Sequence, residues 1–186
     1  MGASVVKKIV DLTILSLLVT AIGAAGRYPL ELTLEATTGN ATTHITSSVS
    51  IRIDRLMEEN RRKRVTDALT YSGYGNFMTA LRALPPVGTI VLSGRSVELR
   101  YAREEADGEG QRLVLVADRP LFFLGNDQAK PKAGYELTVV ELHIDAQGVV
   151  SGRMAGAARV KPSPSGVVLD DFAETPVALA GRVAAR

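Results

Sequence analysis

The chain has no cysteine and no tryptophan among its 186 residues. The first absence removes disulfides, thiolate zinc sites, iron–sulfur clusters, thiol nucleophiles and the acylated cysteine of a lipoprotein. The fold must hold by packing alone. The second absence, with aromatics at only 5% of the sequence, leaves little for a platform that would stack sugars or bases. Histidine is scarce, at His44 and His143 only, so no metal and no cofactor are expected. An excess of one charge is missing as well: 22 basic residues face 20 acidic ones, for a formal net charge of +2. Nucleic-acid binding calls for a clustered basic footprint, so no nucleic-acid partner is expected.

A long apolar span is also missing, although a short one opens the chain. Lys7 and Lys8 precede an apolar run from Leu12 to Ala25, which ends in Ala21, Gly23, Ala24, Ala25 and Gly26. A basic start, an apolar middle and a small-residue exit are the parts of a secretory signal. A spanning helix needs about 20 apolar residues. Asp11 blocks extension toward the lysines, because a carboxylate near the bilayer centre costs about 2.5–3.5 kcal/mol. Downstream only Arg27 follows, which is no stop-transfer cluster. Residues 1–26 therefore read as a signal peptide cleaved after Ala25 or Gly26. The protein is expected to be exported, periplasmic or extracellular, with no membrane span once the signal is gone. Residues 27–186 then form one ordinary domain, large enough to bury a core without staples.

What the domain has in quantity is alternation. Tyr28, Leu30, Leu32 and Leu34 alternate with polar partners, as do Ile45, Ser47, Val49, Ile51 and Ile53. Thr37-Thr38-Gly39-Asn40 between them reads as a turn, so the two strands should be antiparallel. The period then changes. Glu58 and Glu59 suit a helix start, Val65, Ala68 and Leu69 follow at helical spacing, and Gly73 reads as a stop. Phe77, Leu81 and Leu84 give a second stripe ended by Pro85-Pro86. The expectation is a helical hairpin at about 57–84, inserted between strands.

Strands return after it. Thr89–Leu92 is short; Val97, Leu99 and Tyr101 are expected on one face of the next. Asp107-Gly108-Glu109-Gly110 is a hairpin turn. Leu113–Ala117 is apolar on both faces, as in a doubly covered strand. Glu136–Asp145 follows a polar loop, with a bulge expected at Val139-Val140. Asp145–Gly148 turns the chain into a strand expected to hold Val150, Gly152, Met154, Gly156, Ala158 and Val160 on one narrow face. Pro162–Gly166 turns it again, and Val167–Leu169 and Val177–Val183 finish it. The sum is an α+β fold, mainly antiparallel β: a single sheet folded on itself, barrel or sandwich, with the helical hairpin capping it.

The order of short motifs carries a resemblance. Ile53-Asp54-Arg55 leads through the helical region to Pro86-Val87-Gly88-Thr89-Ile90. Leu99-Arg100-Tyr101-Ala102-Arg103, Ala117-Asp118-Arg119-Pro120, Val140–Asp145 and Thr175–Leu179 follow in turn. This order resembles a family of short exported bacterial proteins with no assigned activity. The resemblance implies export and a β-rich fold over almost the whole mature chain, and it supplies no catalytic residues.

Three groups of residues are candidates for chemistry or contact. Glu141 and His143, two apart on a strand, share a face and could act as a metal pair or an acid–base pair; they could equally form a solvated polar row, since zinc asks for three or four ligands. Arg61, Arg62, Lys63 and Arg64 span the helix circumference. Glu58 could pair with Arg62 and Glu59 with Lys63, or the arginines could meet anionic lipid headgroups or polysaccharide. Asp118, expected on the face of Val97 and Val116, needs a cation from Arg119, Arg95 or Arg103. No G-x-S-x-G elbow is present, and Gly73-Tyr74-Gly75 follows a helix and lacks the lysine of a phosphate loop. The leading expectation is an exported, non-catalytic domain that binds a protein or envelope component. A barrel carrier of a small apolar ligand and an exported hydrolase using His143 with Glu141 are the alternatives.

Overall fold

The computed structural model describes residues 28–39, 44–123 and 132–184. The expected signal, residues 1–26, lies outside them, as does 124–131 of the polar loop. The described elements run β1 (Leu30–Gly39), β2 (His44–Ile53), α1 (Glu59–Arg82), β3 (Gly88–Leu92), β4 (Arg95–Asp107), β5 (Gly110–Ala117), β6 (Leu137–Ile144), β7 (Val149–Ser163), β8 (Gly166–Phe172) and β9 (Val177–Arg182).

Every strand pair is antiparallel. The order β6-β5-β4-β3-β2-β1-β9-β7 returns to its start, because β7 also pairs with β6. The sheet is thus a closed eight-stranded barrel and not a sandwich, with β8 added to the C-terminal half of β7. The β1–β2 ladder runs from Leu30↔Ile53 to Gly39↔His44, so Thr37 and Thr38 belong to the strand and not to the turn. Asp145 closes the β6–β7 turn, its carboxylate accepting the backbone N–H groups of Gln147 at 2.9 Å and Val149 at 2.8 Å.

Period-two alternation puts one side chain in two from each barrel strand into the interior. Leu32, Ile51, Ile90, Leu99, Leu115, Leu142, Val150 and Leu179, one per barrel strand, belong to a single buried cluster. A barrel of about eight strands is just wide enough for such side chains to fill it.

A second apolar layer lies outside the barrel. Val65, Phe77, Met78 and Leu81 of α1 pack on Tyr101, Val114, Val116, Val139 and Val160. This accounts for the doubly apolar run of β5: Leu113, Leu115 and Ala117 face inward, Val114 and Val116 lie in the layer with the helix. The helical hairpin expected at 57–84 is one helix. Gly73 adopts φ 82, ψ 173 and interrupts the helical run there. A hairpin needs a loop of about 2–5 residues to reverse direction, and here a single residue departs from helical angles. Across the break the Asn76 amide donates to the Ser72 carbonyl at 2.7 Å.

Two register shifts move residues off their expected faces. The shift in β4 between Leu99 and Tyr101 leaves Val97, Leu99 and Ala102 inside and turns Tyr101 outward. The second is a bulge in β7, where Leu137↔Ala158 is followed by Val139↔Ala155. The extra residue belongs to β7, so Val139 and Val140 simply alternate, outside and inside. The expected single face of β7 divides accordingly. Val150 and Met154 enter the barrel, whereas Ala155, Ala158 and Val160 join the layer under the helix. A bulge bends its strand, and the C-terminal half of β7 carries β8 across the outer face of β4 and β6, where their side chains bond its backbone.

Candidate functional site

Of the charged candidates, Glu141 lies where β8 crosses the barrel wall. Glu141 projects from β6 to the outside, and its carboxyl group is 9% exposed. Oε1 accepts from Arg112 Nη2 at 3.1 Å and from the backbone N–H of Leu169 at 3.4 Å; Oε2 accepts from Arg153 at 2.7 and 3.0 Å. Four hydrogen bonds leave this carboxylate committed to holding β5, β7 and β8 against β6. His143 shares its face, as expected, but its Nδ1 lies 3.4 Å from Asp107 of β4. The pair forms a row of ion pairs along the wall of a shallow, open depression. Among the described residues no group of three or more His, Asp or Glu is placed to hold a metal.

Next to this row lies a more enclosed feature. Behind the β4 bulge, Tyr101, Arg103 and Glu105 point outward in succession, beneath the β7–β8 hairpin. The Tyr101 hydroxyl accepts the Val167 backbone N–H at 3.2 Å. Gly166 must lack a side chain: its φ is +141, and a Cβ there would collide with Tyr101 Oη and stand 3.3 Å from Arg103 Cδ. The Arg103 side chain is 1% exposed and donates from Nη1 to Glu105. Its Nε and Nη2 have no partner among the described residues. Burial pushes the Glu105 carboxyl up, but hydrogen bonds from Ser165 and Arg103 outweigh it and hold the group below the usual carboxylate range. Burial raises the Tyr101 phenol, against the pull of the Val167 N–H and of the Arg103 and Arg62 guanidiniums.

Above Gly166 a groove of about 440 Å³ runs between the first half of α1 and the hairpin residues 162–166. Of the basic run on α1, Arg62 and Lys63 line this groove, whereas Arg61 lines a separate small cleft with Leu84 and Arg100. Arg64 is exposed. The ion pairs differ in spacing from those expected: Arg61–Glu58 at 3.3 Å and Arg62–Glu59 at 3.9 Å are three apart, and Lys63 reaches forward to Asp67 at 2.8 Å. Asp118 is buried, and its cation is Arg100 at 3.5 Å, not Arg119, Arg95 or Arg103. Arg119 is exposed and contributes its carbonyl to Thr138. The β4 shift explains the Asp118 mismatch, since it puts Val97 inside and Val116 outside and leaves no common face for Asp118 to share.

The residues missed by sequence reasoning are Tyr101, Arg103, Glu105, Arg112 and Arg153. The signal for the first three was the pair Leu99 and Ala102, apolar residues three apart in a strand of period two, which marks a bulge. No described helix is long and apolar enough to cross a membrane. Comparison with protein-family models, with curated proteins and with solved structures finds no match to this chain.

Proposed function

We propose that this chain is an exported, non-catalytic binding domain that recognises a protein or envelope component through its outer surface. The observation that carries the reading is the filled barrel: all eight strands commit their inner side chains to one apolar cluster, so recognition falls to the outside. The same packing weighs against a carrier of apolar ligands. The four donors on Glu141 weigh against a hydrolase that would use it with His143, because a committed carboxylate has no free lone pair to orient a base. Export is supported by the signal-like order of residues 1–26 and by the resemblance to short exported proteins.

Two measurements test this reading. N-terminal sequencing of the protein accumulated by its own cells should start near Gly26 or Arg27; an intact Met1 in the envelope fraction overturns export. Pull-down from that envelope fraction should retain a partner that is released when the outer surface is altered by Arg62→Glu with Lys63→Glu. Retention unchanged by these and by equivalent changes at Arg112 and Arg153 overturns recognition through this side of the barrel.

A further inference from the structure

We infer that the exposed side of α1 and its flanks docks on an anionic phospholipid surface, through Arg55, Arg64, Arg82 and Tyr71. The inference rests on the reading of this chain as an exported domain that recognises an envelope component, and it names that component as anionic lipid.

The first support is charge that stays unpaired. Between Arg55 and Pro86 six basic residues face three acidic ones, a surplus of three in a chain whose whole net charge is +2. Ion pairs take up Arg61 with Glu58, Arg62 with Glu59 and Lys63 with Asp67. Arg55, Arg64 and Arg82 are exposed and have no carboxylate partner among the described residues. Arg55 donates to the Pro86 carbonyl at 2.8 Å, a bond that leaves its charge uncancelled. The whole surplus of this segment therefore sits on these three guanidiniums.

The second support is position. Arg55 and Arg61 line one small cleft with Leu84 and Pro85. Arg64 stands about one turn beyond Arg61, and Arg82 lies in the last turn of α1, two residues before Leu84. The unpaired cations thus stand around one cleft. Its volume is about 20 Å³, room for about one water, so the arginines cannot enclose a small anion and present their charge to a surface instead. The third support is Tyr71, which is 82% exposed and lies two turns beyond Arg64 on the same face of the helix. A phenol ring so placed suits the headgroup level of a bilayer, with its apolar body toward the acyl chains and its hydroxyl in water. The guanidiniums beside it would meet the lipid phosphates. An acidic polysaccharide would engage the cations and leave the ring in water.

The test uses Tyr71→Trp in protein purified from its own cells. The chain has no tryptophan of its own, so the emission reports this face of the helix alone, whatever the N-terminal segment does. Titration with phosphatidylglycerol vesicles should give a saturable blue shift, reversed by about 1 M sodium chloride, which shortens the screening length to about 3 Å. Phosphatidylcholine vesicles should give none. Arg64→Gln and Arg82→Gln, both at exposed positions, should each weaken the partition about fivefold and together about 25-fold, with circular dichroism unchanged. No shift with phosphatidylglycerol, an equal shift with phosphatidylcholine, or equal partition in the double variant overturns the docking surface. Capture of an acidic protein or polysaccharide that the double variant loses, with no shift on vesicles, overturns the assignment to lipid. A partner retained in pull-down by both forms while the vesicles fail removes this surface alone and leaves the proposed function standing.

Discussion

Gly166→Ala is the most exacting perturbation of the β7–β8 crossing, because its effect depends on one atom of another strand. The added methyl meets two costs. A φ of +141 belongs to a region that side chains seldom adopt, with a strain of about 1–3 kcal/mol. The methyl also collides with Tyr101 Oη, and overpacking of this kind adds about 1–3 kcal/mol. A loss of about 3 kcal/mol is expected. Tyr101→Phe deletes the hydroxyl and leaves the Val167 N–H without its acceptor, for about 1–2 kcal/mol. The double variant should not show the sum. Removal of Oη clears the space the methyl needs, and about 1–2 kcal/mol should return as coupling between the two sites. Urea unfolding followed by circular dichroism reads the three midpoints, with an unchanged m-value required for the comparison. Additivity within about 0.5 kcal/mol would mean that the methyl and the hydroxyl never meet, and the path drawn for β8 over Tyr101 would be wrong.

Three further substitutions probe the rest of the molecule. Phe77→Ala empties the centre of the outer layer, where the ring is fully buried, and should cost about 3–5 kcal/mol in the same urea assay; a loss below about 1 kcal/mol would mean that the helix does not seal the barrel wall. Gly73→Ala should destabilise by about 1 kcal/mol, since φ 82 strains a side chain even in open space; in a regular helix the same change would stabilise by a similar amount, so the sign decides whether the break exists. Glu105 has a folded pKa below its unfolded one. Its contribution is therefore present above the ordinary carboxylate range, about pH 4, and is lost as pH falls through the folded value. Glu105→Gln should lower stability at neutral pH and flatten the acid limb of a pH series of urea midpoints; parallel curves for wild type and variant would refute the pairing with Arg103 and Ser165.

The parts of this fold that follow simple periodicity were legible in the sequence, and the parts that break it were not. Leu30, Leu32 and Leu34 announce a strand by repetition, and the doubly apolar Leu113–Ala117 announces a strand covered on both sides, which is where the helix lies. Closure into a barrel was not legible, because it depends on β9 bridging β7 and the distant β1, and no local pattern distinguishes that pairing from the facing sheets of a sandwich. The helical region failed for a different reason. Gly73 is equally good as the end of one helix or as a break within a longer one, and the choice is made by the packing of Val65 on one side and Phe77, Met78 and Leu81 on the other against one continuous layer.

The candidate site suffered most, because it is built on the irregularities. A single extra residue inverts the facing of everything beyond it, at little cost in composition. Without the shift after Leu99, Arg103 would project into the apolar barrel, where an arginine cannot be accommodated unpaired. With it, Tyr101, Arg103 and Glu105 form an outward row beneath β8. The bulge in β7 likewise brings Gly166 and Leu169 over that row. A third shift lies in the β7–β8 ladder, where Arg159↔Asp171 is followed by Val160↔Leu169, so the irregularities gather at the crossing of β8 over β4 and β6. Strands that needed only to enclose a core could have kept a regular register throughout. The register that results keeps Arg103 out of the apolar barrel and places it under β8, beside Glu105.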